Sequence, residues 1–319
     1  METQTALKRS CRKAQLKTLL LNNFSFAGLL LVVVLFEILT DGKLLGERNL
    51  LNIFNNFFTI GLSAMAFTFV MALGELDLSV GAIVGFSAMA GAFAAKIGLW
   101  LILPAALLAG LLIGFLNGFA IAHLRVESFI GTLAMSFICR GLTTWLLNGS
   151  VGIPISMRAF DEDWVKIATF LVLLAVLYFL FEHCAYGKHC RAVGSSKEAA
   201  RQSGVSVKRV RLLAFVLSGV VCGLVGFFTL IRGCTASSGT GNAFEFDVLL
   251  AVLFGGMPLS GGWVVRFRSA VVGSIAMAVL KSGMSLTGIN GMTQQIVQGV
   301  ILIVVVVLSF DRKNAAVIK

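Results

Sequence analysis

The stretch ATFLVLLAVLYFLF, residues 168–181, runs fourteen positions without a charged side chain. With its flanks, 165–182, it approaches the ~20 residues that a helix needs to cross about 30 Å of hydrocarbon. A second run, IVQGVILIVVVVLSF at 296–310, has the same character. Neither keeps a polar stripe at helical spacing, so each is apolar all round, the pattern of a helix that never faces water. Working outward, the whole chain follows suit: its 319 residues are 58% hydrophobic and only 13% charged, with a mean hydropathy of +0.94. A soluble domain of that composition would have no surface to offer water. The expected fold class is therefore all-α, a polytopic integral membrane protein held as one membrane domain in a lipid bilayer, and no soluble domain is expected.

Apolar runs predict helices near 20–39, 53–73, 79–97, 99–122, 128–147, 165–182, 212–231, 247–257, 269–286 and 293–310. The expected count is about ten spans, although the eighth is too short to cross unless its flanks join it. The basic segment LKRSCRKAQLK before the first run resembles the start of a signal peptide. The run that follows, Phe26–Leu39, leads into TDGKLLGER and not into a small-residue cleavage site, so it reads as a retained span. If the N-terminus lies inside and ten spans alternate, 18 of the 26 Lys and Arg residues fall on the inside. These include Lys8, Arg9, Arg12, Lys13 and Lys17 near the start and seven residues between Lys188 and Arg211. The positive-inside rule then places both termini in the cytoplasm. The expected layout is a tail over 1–19, a transmembrane domain over 20–310 with a cytoplasmic loop at 186–215, and a second tail over 311–319. The net charge of +11 reflects this topology and anionic lipid, so no nucleic-acid partner is expected.

The six cysteines, Cys11, Cys139, Cys184, Cys190, Cys222 and Cys234, are scattered and outline no disulfide framework. HCAYGKHC, 183–190, brings His and Cys to short spacing, but in none of the usual ligand patterns, so no metal site is expected.

Three segments break the apolar pattern. In GELDLSVG, 74–81, Asp77 and Ser79 are residue types that open helices, here VGAIVGFSAMAGAFAA. The segment reads either as a turn with a capping carboxylate or as a broken helix whose polar groups line an aqueous cavity. The second segment, 186–215, holds seven basic residues and one acid, Glu198. Its core SKEAARQS is opened by Ser195 or Ser196 and closed by Gly204, and its length of about 30 residues exceeds that of an ordinary connector. The third, 239–268, follows a short apolar run with glycine pairs around Pro258, so the backbone turns sharply at the cytoplasmic face or re-enters the membrane; a plain turn is the simpler local reading.

Taken in order, these pieces resemble the permease subunits of ribose-type sugar ABC importers over roughly residues 50–310. The family's G-(I/E)-D-(L/V)-S-V-G signature matches at Gly74, Glu75, Asp77, Ser79 and Gly81. A span ending in N-G-x-x-I-A matches at Asn117, Gly118, Ile121 and Ala122, and the F-(I/V)-x-T-L element with its following R-G at Phe129, Thr132, Leu133, Arg140 and Gly141. The long basic loop matches at Gly194, Ser196, Ala199, Ala200, Ser203, Gly204 and Val207. FEFDVLLAVLFGGMPLSGG, 244–262, is similar to the family's final conserved turn. After Gly262, where the family carries small residues, this chain has Trp263, Val264, Val265, Arg266, Phe267 and Arg268, and Leu250 stands where a small residue is usual.

The resemblance implies a second permease copy, a cytoplasmic ATPase subunit and an extracytoplasmic sugar-binding protein as partners, at a bacterial inner membrane. It also implies that Gly194, Ser195, Ser196, Lys197, Glu198, Ala199, Ala200, Arg201, Ser203 and Gly204 form a coupling helix that docks on the ATPase. No G-x-x-x-x-G-K-[ST] occurs in the chain, so no cofactor is expected here and ATP is hydrolysed by the partner. Sugars need hydrogen bonds and stacking surfaces weak enough to release them. Candidate pathway residues are Asp77, Ser79 and Glu75, with Asn117 and Arg140, and Phe57, Phe58 and Phe67 as ring faces. Arg140 in an apolar span is expected to face the bundle interior, since lipid exposure costs about 2.5 kcal/mol or more. There it either touches substrate or pairs with Asp77 or Glu75. Lys281 is read as snorkelling, without a role. The chain is not expected to be an enzyme, because His123, His183 and His189 have no paired nucleophile. An ion-coupled secondary transporter is the alternative, kept open by Glu75 and Asp77.

Overall fold

The computed structural model describes residues 24–309; the tails expected over 1–19 and 311–319, with Cys11, lie outside the described residues. A helix lies over each of the apolar runs. They are α1 (Phe24–Leu39), α2 (Glu47–Ala72), α3 (Val80–Ala94), α4 (Ile102–Ala122), α5 (Ser128–Leu147) and α6 (Asp163–Tyr178). After α7 (Ala185–Ser195) and α8 (Lys197–Gln202) come α9 (Val207–Gly233), α10 (Phe244–Phe254), α11 (Phe267–Leu286) and α12 (Gly291–Ser309). Among the described residues, six helical segments are long and apolar enough to cross a membrane: Glu47–Ala72, Leu99–Ala122, Ser128–Leu147, Asp163–His183, Val207–Gly233 and Phe267–Leu286. The chain is a multi-pass membrane protein. Helices α1 and α3 are apolar but shorter, and α10 has only 11 residues.

Burial separates central helices from peripheral ones. About two thirds of the most apolar window is buried in α2 (67%) and α9 (72%), against 28% in α5 and 22% in the α6 segment. Leu108, Leu112, Phe137, Ile138, Leu171 and Val172 on the outer helices are exposed, as suits groups solvated by lipid tails. The most extensive helix–helix contact is between α4 and α9. Gly110 and Gly114 face Gly219 and Gly223 backbone to backbone, and a Cβ on any of the four would strike the opposite main chain. Each helix therefore presents a small-x-x-x-small pair, the device that lets helices pack without a hydrophobic driving force between them.

Two ends of the bundle can be told apart. At one, β1 (Ser150–Gly152) pairs antiparallel with β2 (Thr235–Ser237), a short ribbon that the all-α expectation did not contain. At the other, the turn after α2 meets the start of α5 through Leu76 N to Ser128 Oγ (3.4 Å) and Leu78 N to Thr132 Oγ1 (3.0 Å). Helices α7 and α8 lie at this same end. The segment expected as a long loop at 186–215 is thus helical over most of its length. Gly187, Cys190, Arg191 and Val193 are its buried face, and Arg191 lies over the Phe181 ring at 4.3 Å and pairs with Glu182 at 2.6 Å. Burial pushes the Cys190 thiol up to about 12, so it packs as a small apolar group. The turn after α10 is local: Gly261, at φ +70°, lies against Gly74 and Met71, and Gly262 against Ser195. Only glycine gives both the left-handed conformation and that proximity.

Candidate functional site

The GELDLSVG turn is the break between α2 and α3, and its two carboxylates point to different surroundings. Asp77 is 2% exposed. Its Oδ1 accepts from Ser79 N (2.9 Å) and Ser79 Oγ (2.5 Å), and its Oδ2 accepts from Ser218 Oγ (3.4 Å) on α9. Asn117 Nδ2 on α4 donates to Ser79 Oγ at 2.8 Å. Ser79 occupies the cap position of α3 but makes no side-chain capping bond; its hydroxyl donates to Asp77 and accepts from Asn117 instead. Asp77, Ser79 and Asn117 are thereby joined in one buried network across three helices.

Glu75, 3% exposed, belongs to a separate cluster. Its Oε1 takes Arg211 Nη2 at 2.5 Å and Lys197 Nζ at 3.3 Å, while Oε2 finds no donor among the described residues. Arg211 also donates to the Ile121 carbonyl at 3.0 Å. A cavity of 580 Å³ opens here, lined by Glu75, Arg125, Glu127, Lys197, Arg201 and Lys208 among others. The short helix α8 forms one wall. Ser196 caps it by accepting from Ala199 N (3.3 Å), and Gly204 closes it at φ +83°, the cap chemistry expected from the sequence. Of its residues only Ala200 is buried; Lys197, Glu198, Ala199, Arg201 and Ser203 are exposed, and Glu198 pairs with Arg201 at 2.9 Å. Gly194 packs its backbone against the Ala72 carbonyl and Gly262.

Arg140 does not pair with Asp77 or Glu75. It grips Glu245 of α10 with Nη2 at 2.9 and 3.0 Å from the two carboxylate oxygens and donates to the Gly241 carbonyl at 3.2 Å. Sequence reasoning passed over Glu245 because it sits in an apolar run whose partner is 105 residues away. Lys281 likewise does not snorkel. It meets Asp247 Oδ2 at 2.5 Å, and Gln298 Nε2 donates to Asp247 Oδ1 at 2.9 Å. Of the aromatic candidates, Phe58 and Phe67 are each 1% exposed, and the half-buried Phe57 packs on Phe170 with ring centroids 4.8 Å apart. Among the described residues no three His, Cys, Asp or Glu side chains gather in a group that would hold a metal ion.

The polar turn at 74–81 interrupts this bundle of apolar helices, and the exposed, capped helix α8 lies at the same end. A family model described as branched-chain amino acid transport system / permease component matches residues 49–306. The chain belongs to this permease family. The L-arabinose ABC transporter permease protein of Azospirillum brasilense is 32% identical over 92% of this chain and 89% of its own length. A probable ABC transporter permease protein of Escherichia coli K12 is 32% identical, covering 92% of each chain. The ribose import permease protein of Bacillus subtilis is 30% identical over 91% of this chain and 92% of its own. No solved structure matches. A permease component is a membrane part of a larger transport system and not an enzyme, and the matched span runs from the first turn of α2 to the last turn of α12, so every polar cluster described above lies inside it.

Proposed function

We propose that this permease is the membrane-spanning subunit of an ABC importer for a monosaccharide or related polyol, in a bacterial inner membrane. It acts with a second permease copy, a cytoplasmic ATPase that binds and hydrolyses the ATP, and an extracytoplasmic sugar-binding protein. In this reading the transmembrane domain over 20–310 makes ten crossings with both termini in the cytoplasm, and the end that carries α7 and α8 faces the ATPase. The observation that carries it is the Lys197–Glu75–Arg211 cluster. An exposed helix of the docking kind is tied by charge to the buried turn that leaves α2, so a push on α8 moves the break between α2 and α3. Because Arg211 opens α9, the same push reaches the Asp77, Ser79, Asn117 and Ser218 network. That is a bistable element biased by a partner.

The sugar class follows from the arabinose and ribose named for the relatives. The ion-coupled alternative has no support in the family or these relatives. The test is reconstitution of the permease with its partner ATPase and receptor in vesicles. Uptake of ribose, arabinose or xylose is expected only with receptor and hydrolysable ATP; uptake driven by an ion gradient without ATP hydrolysis would refute the importer.

A further inference from the structure

We propose that the loop Gly239–Ala243 dips into the bundle and that the cleft at its tip is the site where this permease receives a monosaccharide-sized polyol. The inference rests on the sugar-importer reading above and adds to it a place and a set of residues.

Helix α10 has 11 residues, a length of ~16 Å, about half of what a crossing needs. The remaining depth is covered by non-helical chain. Instead of staying beyond the far end of α3, the loop lies along its first two turns: the Gly241 carbonyl abuts Gly81 and the Thr240 carbonyl abuts Gly85, so closely that a Cβ at either glycine would collide. Arg140 fixes the tip by holding both the Gly241 carbonyl and Glu245. Irregular backbone at membrane depth is tolerated where it lines an aqueous cavity, and a cleft with a polar lining adjoins this loop. A cleft of 200 Å³ is lined by Asn56, Thr59, Arg232, Asn242, Asp247 and Lys281, with the Phe244 ring and Ile60 as apolar wall.

The hydrogen-bonding capacity of that lining is largely unspent. Asp247 is satisfied on both oxygens by Gln298 and Lys281, and Thr59 bonds its own helix. Asn56, Arg232 and Asn242 have no side-chain partner among the described residues, and the Lys281 ammonium has used one of three protons. Two amides that both donate and accept, two cations and one ring form a poor nest for a branched aliphatic side chain, whose burial would leave these groups unpaired. A polyol matches them, since each hydroxyl donates and accepts while its C–H faces meet the ring. The volume, below the ~300 Å³ of drug-sized pockets, suits one small molecule.

The test uses the complete reconstituted transporter. Asn56→Leu and Asn242→Leu are each expected to slow uptake of whichever of ribose, arabinose and xylose is transported by roughly fivefold, the worth of one neutral hydrogen bond, with unchanged amounts of assembled complex. In Asn242→Cys, a membrane-impermeant maleimide applied from the receptor side is expected to label beyond the parent protein. The transported sugar, but not leucine, is expected to slow that labelling, whereas a control at Ser238→Cys labels equally with or without sugar. Uptake within twofold of wild type in the Asn56→Leu/Asn242→Leu double variant, or labelling of Asn242→Cys that sugar leaves untouched or that leucine alone slows, overturns the cleft. A wild-type transporter that takes up none of the three sugars overturns the parent reading and the polyol with it. Sugar uptake by wild type and cleft variants alike overturns this inference alone.

Discussion

Glu75 faces cations and Asp77 faces hydroxyls, although only Leu76 separates them. The difference follows from backbone geometry at the break: Glu75 still belongs to the turn that leaves α2 and reaches Arg211 and Lys197, whereas Asp77 has entered the bundle beside Ser218. Removing one member of a buried pair leaves the other charge uncompensated, at a cost of about 3–5 kcal/mol. Glu75→Gln is therefore expected to lower the melting temperature of the purified protein, and to uncouple ATP hydrolysis from uptake in the reconstituted system. Asp77→Ala removes the acceptor for Ser79 N, Ser79 Oγ and Ser218 Oγ together, and is expected to lose about 1–3 kcal/mol. Asp77→Asn keeps an acceptor for Ser79; if it reaches the membrane in normal amount yet transports poorly, Asp77 serves the path as well as the turn. For Arg140, the Arg140→Gln/Glu245→Gln pair is decisive. Each single change is expected to destabilise, and the double variant to recover part of the loss, an interaction energy of about 0.5–3 kcal/mol in a double-mutant cycle by thermal unfolding.

At the scale of elements, helix α8 and the α4–α9 seam make contrasting demands. Helix α8 is short and exposed, rests on Ala200 and is fixed by Ser196 and Gly204. Glu198→Arg breaks only a surface pair with Arg201, worth at most ~1 kcal/mol, so it is expected to leave melting unchanged while impairing coupling to the ATPase. Gly204→Pro forces φ from +83° to about −65°, and is expected to disrupt the end of α8 and coupling with it. Normal uptake in both variants would remove the docking role from this helix. The seam admits no Cβ at all. Gly219→Val would strike the Gly110 carbonyl and Gly114, and overpacking of this kind costs about 1–3 kcal/mol or more; reduced yield and a lower melting temperature in detergent are expected, independent of substrate.

For the whole molecule, the positions of the two ends relative to the membrane form one prediction. With α8 inside and the β1–β2 ribbon outside, a cysteine at Arg201→Cys is expected to react with an impermeant maleimide only in inverted vesicles, and one at Ser238→Cys only in right-side-out cells. The reverse pattern would refute the proposed orientation. Cys190, buried with its thiol raised to about 12, is expected to stay unmodified in both until the protein is denatured.

The sequence by itself determined that this chain is a bundle of apolar helices, where those helices lie, and how α8 begins and ends. All of these depend on residues close together in the chain: runs of apolar side chains long enough for a bilayer, a serine three positions before the amide it caps, a glycine where φ turns positive. The matched motifs likewise marked the broken turn at 74–81 and the 194–204 segment. Only the tertiary structure decided which charges meet: that Arg140 belongs to Glu245, that Lys281 belongs to Asp247, that Glu75 answers to α8, and that Phe57, Phe58 and Phe67 are spent on packing. Ion pairs between helices in an apolar medium are set by which faces the bundle turns toward each other, and small residues a hundred positions apart control that approach. The loop before α10 is the clearest case, since nothing in GTGNA tells of depth until Gly81 and Gly85 leave room for its carbonyls.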